Sequence, residues 1–472
     1  MKEYTINELY DLLNKGEMTS LDLVEMYLDR INQYDQSGPK INAVGEINPD
    51  LYDLARNLDL ERKMKGPRSK LHGIPLLIKD NILTKDKMHT RAGSIVLEDY
   101  YGSEDAFIVK KLRQAGAIIL GKANLSEFAY FMSFDDMPSG YGGYSGQVKN
   151  PYSKNIDPLG SSTGSAVSVA CNFVPFSIGT ETNGSLTAPA LMNSIQTIKP
   201  SMGLVSRSGI IPISHHQDIA GPMARTVEDL AEVMNVIVDY DQEDLATHQV
   251  KDHVFEFTKN LKAPIDDKKI GFIKFTNISY SEEEIEIENH AKQIFRILGA
   301  DVLELEVEAQ SIANFDTLIY DFKVDLNHFL NLYMKDYKVH SLKDIIEFNR
   351  KDPEKRMKYG QSIFEAAQAT SGTLKEKEYH EKYQENLEKA SLLCKLMNDY
   401  DLDCITSVKR TSYAPIAGHP VVAVVAKALK DDNPKSLFFN GRTFKDDVLL
   451  NIAYHYEKES NKRLSPDLDH IR

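Results

Sequence analysis

A chain of 472 residues with 42% hydrophobic and 27% charged residues carries enough apolar material for a sizeable core, which excludes the disordered and fibrous classes. A formal net charge of −14 argues against a protein that tracks a phosphate backbone, because nucleic-acid affinity rests on clustered Lys and Arg. Cys171, Cys394 and Cys404 are too few and too far apart for a disulfide framework or a zinc cage, and are expected as reduced core residues.

In chain order, Thr5 stands three residues ahead of Glu8, a capping box, with Leu9, Leu12 and Leu13 on one helical face. A second amphipathic helix is predicted after Thr19 and Ser20, with Val24, Tyr27, Leu28 and Ile31 at helical spacing. The opening MKEYTINELYDLLNKG has no apolar run of signal-peptide length, and no stretch approaches the ~20 apolar residues of a membrane span. The cytoplasm is therefore the expected compartment, with no membrane contact.

From Leu71 to about Ile237 short apolar runs (IPLLI, AIIL, FSIG) alternate with Gly, Ser and Asn clusters and with helical stretches such as AFIVKKLRQAG. That alternation predicts α/β architecture. Residues 240–268 are charged and aperiodic and are expected as a surface excursion. IGFIKF and LELEV (303–307) predict strands, with EEEIEIENHAKQIFRIL helical between them, and residues 374–400 predict one long solvated helix.

Two segments stand out chemically: GSSTGSAVSVA at 160–170 and GTETNGSLTAPA at 179–190. Glycine-rich turns expose backbone N–H groups that can hold an anion, a developing oxyanion among them, although serine-rich glycine turns are also ordinary loops. Nucleotide binding has little support. No Walker A pattern is present, and GYGGYSG at 140–146 lacks a strand-to-helix context. A histidine-based hydrolase is equally poor, since neither H-E-x-x-H nor G-x-S-x-G occurs and His215 and His216 are adjacent.

HGIPLLIKDNI, GSSTGS and GTETNGS, in that order, closely resemble the three catalytic segments of the amidase signature family. The 24-residue separation of Ser161 and Ser185 matches that family's spacing, and IKPSMGLVSRSGIIPISHHQDIAGPMARTVEDL resembles its continuation. The resemblance implies one domain over residues 1–472, strongest at 71–237, with a variable half at 238–472 that completes the sheet and the substrate pocket. The implied fold is a large mixed β-sheet covered by helices on both faces, with N-terminal helices.

By the same resemblance Ser185 is the nucleophile, Lys79 the base, and Ser161, preceded by a cis peptide bond, the relay between them. A serine hydroxyl needs a base, and a lysine can be that base only when neutral. Lowering its pKa to roughly 7–8 costs about 4 kcal/mol, which burial behind IPLLI must supply. The expected oxyanion hole is the backbone N–H groups of Thr182, Asn183, Gly184 and Ser185; Ser162 is a supporting residue and His72 is structural. The cycle passes through an acyl-enzyme and releases ammonia from a carboxamide, with no metal or organic cofactor and no obligate protein partner.

Within the family, the opening segment and SGYGGYSGQVKNPY look most like bacterial peptide amidases, which act on C-terminal peptide carboxamides. Two alternatives stay open: a glutaminase component of an amidotransferase complex, and a binding protein of the same fold that has lost turnover. Departures from the family pattern feed the second. Thr187 stands where many members have arginine, Asn183 replaces a frequent glycine, the segment from Ala417 to Phe444 lacks the proline usual near Ala426, and the C-terminal segment looks shortened. Asp135 and Asp136 could meet a cationic substrate but are expected to be solvated loop acids.

Overall fold

Local signals set the first elements. Thr5 and Glu8 close a reciprocal capping box on the helix Ile6–Lys15, and Thr19 with Asp22 does the same for Ser20–Ile31. The helical spacing of Ile6, Leu9 and Leu13, and of Leu23, Val24, Tyr27 and Ile31, puts each set on a buried face. The fold is given by a computed structural model that describes residues 1–427 and 434–471. Residues 428–433, within the C-terminal segment set apart by its sequence, lie outside the described residues.

The strands in chain order are Val44–Ile47 (β1), Pro75–Lys79 (β2), Ile118–Ala123 (β3), Tyr141–Gly142 (β4), Gly146–Gln147 (β5), Phe176–Glu181 (β6), Gln196–Lys199 (β7), Ile219–Ala224 (β8), Lys269–Phe275 (β9), Asp301–Val307 (β10), Cys404–Ser407 (β11), Val421–Lys427 (β12) and Lys435–Gly441 (β13). Among the described residues eleven form one sheet, ordered β1-β3-β2-β6-β8-β7-β12-β13-β11-β9-β10, while β4 and β5 make a separate hairpin from GYGGYSG. β2 runs parallel to both β3 and β6, whereas β8, β7, β12 and β13 pair antiparallel, so the sheet is mixed, as expected. Every residue of β2, β3, β6, β7 and β8 is buried. Because successive side chains point to opposite faces, helices must cover both.

The register places the site. Ile78 pairs with Ile178, which brings the end of β2, at Lys79, level with Gly179 and next to Thr180 on β6. Both strands end in the same direction, and the two glycine- and serine-rich turns converge there, as loops do at the carboxyl ends of parallel strands.

Three sequence expectations need correction. Residues 240–268 do not stand off the surface: Phe257, Leu261 and Ile265 are buried, and Asn451 Nδ2 donates to the carbonyls of Asn260, Leu261 and Ala263 at 2.9–3.1 Å. Three apolar anchors in a charged context gave too weak a period to see. Residues 374–400 form two helices, Lys377–Ala390 and Leu392–Asp399, not one. Their buried stripe includes Tyr379, Ala390, Leu393 and Met397, the last two packed in a satellite core with Tyr413 and Phe438. Cys394 is only partly buried, unlike Cys171 and Cys404; all three are free thiols. The predicted strand at 303–307 forms the core of β10 at the sheet edge, where its exposed glutamates discourage further strand addition. No helix among the described residues is long and apolar enough to cross a membrane.

Candidate active site

Lys79 ends β2 with its side chain fully enclosed. Its Nζ lies 2.8 Å from Ser161 Oγ, 2.9 Å from Thr180 Oγ1 and 3.2 Å from the Thr180 carbonyl. Burial pushes its pKa down to about 7, against the pull of Asp218 and Glu181, which favour the charged form. Near neutrality a large share of Lys79 therefore carries a free lone pair. With two N–H bonds on Thr180, that lone pair faces the Ser161 hydroxyl, the arrangement a base requires.

The peptide bond between Gly160 and Ser161 is cis. Ser161 is fully buried, and its carbonyl accepts from Ser126 N–H at 3.2 Å. Gly160 leaves room for the Ser126 hydroxyl, which a Cβ there would approach within 2.4 Å and displace. Ser162 braces the helix Thr163–Ala170 against β6: its Oγ donates to the Thr180 carbonyl at 2.9 Å and accepts from Thr180 N–H at 3.1 Å. Its own N–H donates to the Ser185 carbonyl at 3.1 Å, so it ties the two serine turns together.

Ser185 is half-buried in the turn that follows β6. Gly184 sits at φ +90°, a conformation that glycine adopts without strain. None of the N–H groups of Thr182, Asn183, Gly184 and Ser185 finds a backbone or side-chain acceptor among the described residues. The turn thus leaves four backbone donors without a protein acceptor among the described residues, beside one serine. The structure thus joins Lys79 to Ser161 directly. Ser185 Oγ makes no hydrogen bond among the described residues, so its link to Ser161 is not closed in this rotamer.

Several residues that sequence reasoning missed hold this arrangement. Glu181, buried at the end of β6, accepts from Leu186 N–H (2.8 Å), Thr187 N–H (3.0 Å) and Thr187 Oγ1 (3.2 Å) through one oxygen, fixing the turn that presents Ser185. Asn81 Nδ2 donates to Thr180 Oγ1 at 3.1 Å and helps to place the lysine's partner. Thr182 Oγ1 donates to Asp218 at 2.5 Å, and that carboxylate, pushed up to about 6 by burial, also accepts from Ile213 and Ser214 N–H. The only signal for Glu181 was an acid inside an otherwise apolar strand run; Asp218 gave none. Glu181→Ala would strand two buried N–H groups at about 1–3 kcal/mol each. The expected result is a fall in melting temperature and a loss of turnover of about 100-fold, checked by calorimetry and steady-state kinetics on the same preparation.

A cavity of about 190 Å³ opens beside Thr180 and Thr182, walled by Asn81, Asp218, Ile211 and Phe329. Near it His215 contacts Asp325 at 2.8 Å and His216 contacts Asp321 at 3.2 Å. Among the described residues His215, His216 and Asp321 form one group whose metal-competent atoms lie within 4.8 Å of one another. Asp321 already accepts from Ser214 Oγ at 2.6 Å and Tyr379 Oη at 2.6 Å, so internal hydrogen bonds fill the set.

The remaining sequence candidates fall as follows. His72 is buried, taking Arg68 N–H at 3.1 Å and contacting the Leu58 carbonyl at 2.9 Å, a packing role. Asp135 and Asp136 are exposed. Thr187 spends its hydroxyl on Glu181, and Asn183 Nδ2 donates to Ser412 Oγ at 3.0 Å, fastening the turn that carries Ser185 to the C-terminal half.

Comparison with known proteins gives the family. The chain superimposes on the native peptide amidase from Stenotrophomonas maltophilia with a TM-score of 0.93 at 35% identity, covering 99% of both chains. An amidase family protein from Bacillus anthracis str. Ames gives a TM-score of 0.92 at 39% identity, covering 98% of this chain and 92% of the other. A glutamyl-tRNA(Gln) amidotransferase component from Fusobacterium nucleatum is 30% identical over 99% of each sequence. With the family described as Amidase matching residues 22–420, the chain belongs to the amidase family and hydrolyses amide C–N bonds.

Proposed function

We propose that this enzyme converts the C-terminal carboxamides of peptides to carboxylates and ammonia through Ser185, Ser161 and Lys79. The observation that carries the proposal is the fully buried Lys79 amine, lowered to about 7, at 2.8 Å from Ser161 Oγ. Lys79 takes the Ser161 proton as Ser161 takes that of Ser185, and Ser185 Oγ bonds to the carbonyl carbon. Rotation of the half-buried Ser185 toward Ser161 on substrate binding closes the relay; such contacts tighten in the Michaelis complex. The oxyanion is held by N–H groups from Thr182 to Ser185, each donor being worth up to ~3–4 kcal/mol.

Lys79 then returns its proton through Ser161 to the leaving nitrogen, the C–N bond breaks, and ammonia departs. Water attacks the ester, giving its proton to Lys79 by the same route. The carboxylate leaves and the Ser185 hydroxyl is restored. This chain of transfers balances without a metal or organic cofactor, and we place the protein in the cytoplasm, acting without an obligate partner.

The peptide reading draws support from full-length likeness to a peptide amidase. A second reading, a glutaminase component of a larger complex, is favoured by the full-length identity to the Fusobacterium amidotransferase protein. Ammonia release from peptide amides, free glutamine, free asparagine and simple aliphatic and aryl amides separates them. Turnover of peptide amides by the isolated chain is expected; turnover of glutamine alone, or only with a co-purifying protein, would reverse the assignment.

A further inference from the structure

We propose that Arg410 selects the acyl side of the substrate, favouring amides whose acyl residue carries a carboxylate. This rests on the hydrolytic role of Ser185 and adds a substrate class to it. Arg410 lies between β11 and the helix Tyr413–Ala417, in the half of the chain where sequence motifs are silent. Its guanidinium covers Gly184, the residue before the nucleophile: a Cβ on Gly184 would sit 2.5 Å from Arg410 Nη1 and 2.9 Å from Cζ. The Asn183–Ser412 hydrogen bond of 3.0 Å holds the two turns together, so this proximity is built into the fold.

Arg410 is exposed, and among the described residues it has neither an acidic partner nor a hydrogen bond. Each of the other arginines among the described residues makes a side-chain hydrogen bond, and the neighbouring Lys409 pairs with Glu284 at 2.8 Å. Two further polar atoms in these turns, Asn183 Oδ1 and Thr411 Oγ1, are buried without a hydrogen-bond partner. Buried polar groups ordinarily find partners, and a ligand in this turn would supply one for Asn183 Oδ1. A guanidinium presents five donors in a planar fork that fits a carboxylate two-point. Arg410 does not line the cavity by Thr182, where Asp244 and Asp325 are already paired with Arg207 and His215.

The test uses acetyl-dipeptide amides that differ only in the final residue: glutamate, norleucine or lysine. Wild type should show a kcat/KM about tenfold higher for the glutamyl amide than for the norleucyl amide, the scale of one partly exposed charge-assisted hydrogen bond. Arg410→Ala should lose that preference through KM, Arg410→Lys should keep part of it, and Arg410→Glu should move it to the lysyl amide. Raising salt should shrink it in wild type. An unchanged ranking in Arg410→Ala, or an equal fall in kcat on all three amides, would overturn the assignment. Calorimetric binding of the same amides to the Ser185→Ala protein is read in parallel. Binding that prefers glutamate without turnover in wild type removes the hydrolytic reading and keeps Arg410; no charge preference in either measurement removes Arg410.

Discussion

Ser185→Ala should lower kcat on every amide that the enzyme turns over by about 10⁴-fold or more, with the fold intact. The scale is that of removing a nucleophile from a serine hydrolase, where a residual rate survives through the oxyanion donors and substrate binding. Ser185 Oγ contributes no hydrogen bond to the fold, so its removal has little reason to change the melting temperature. Steady-state ammonia release beside a thermal melt checks both halves. A variant that keeps a tenth of the wild-type kcat would exclude Ser185 as the attacking atom.

Lys79→Met is expected to cost about 10³–10⁴-fold in turnover and, at the same time, to stabilise the protein. The folded-state pKa of about 7 lies below the ordinary lysine value of 10.5, so burying this amine costs roughly 5 kcal/mol when the unfolded chain is protonated. Its three contacts return about 3 kcal/mol. Methionine fills similar space and carries no charge penalty.

The pH dependence follows from the direction of that shift. Below about pH 7 Lys79 is protonated in both states and the penalty is fully present. Between about 7 and 10.5 only the unfolded state binds the proton, so wild-type stability gains from Lys79 as pH rises. The melting temperature of Lys79→Met should therefore exceed wild type by more at pH 6 than at pH 9. Wild-type kcat/KM should climb through a limb near pH 7 as the neutral amine forms. A melting-temperature difference that is flat across this range, or a rate that falls as pH rises through 7, would contradict the assignment of Lys79 as a buried base.

Lys79, Ser161 and Ser185 could be singled out because the resemblance that marks them lies in short contiguous segments: Lys79 closes an apolar strand run, and the two serines lie in glycine-rich turns 24 residues apart. The groups that hold them could not be, because their partners are distant or their signal is faint. Asp218 reaches Thr182 across 36 positions, and Ser412 reaches Asn183 across 229. Glu181 is an ordinary acid in the sequence, and only the fold places its carboxylate against the turn that carries Ser185. The same limit explains the elements. A capping box at Thr5 and Glu8 and the helical spacing from Val24 to Ile31 marked the first two helices locally, while the buried anchors Phe257, Leu261 and Ile265 and the break at Ser391 depend on what packs against them. The C-terminal half, whose departures from the family pattern kept a binding protein without turnover open, supplies Ser412 and Arg410 to the turn that carries Ser185.

The most direct measurement is rapid-quench mass spectrometry of the intact protein with an activated ester, followed by peptide mapping of any covalent adduct. One acyl group on Ser185 is expected, accumulating faster above pH 7 and absent from Ser185→Ala. An adduct carried by Ser161 or another side chain, or steady turnover with no adduct under conditions where deacylation limits the rate, would contradict Ser185 as the acyl-bearing nucleophile.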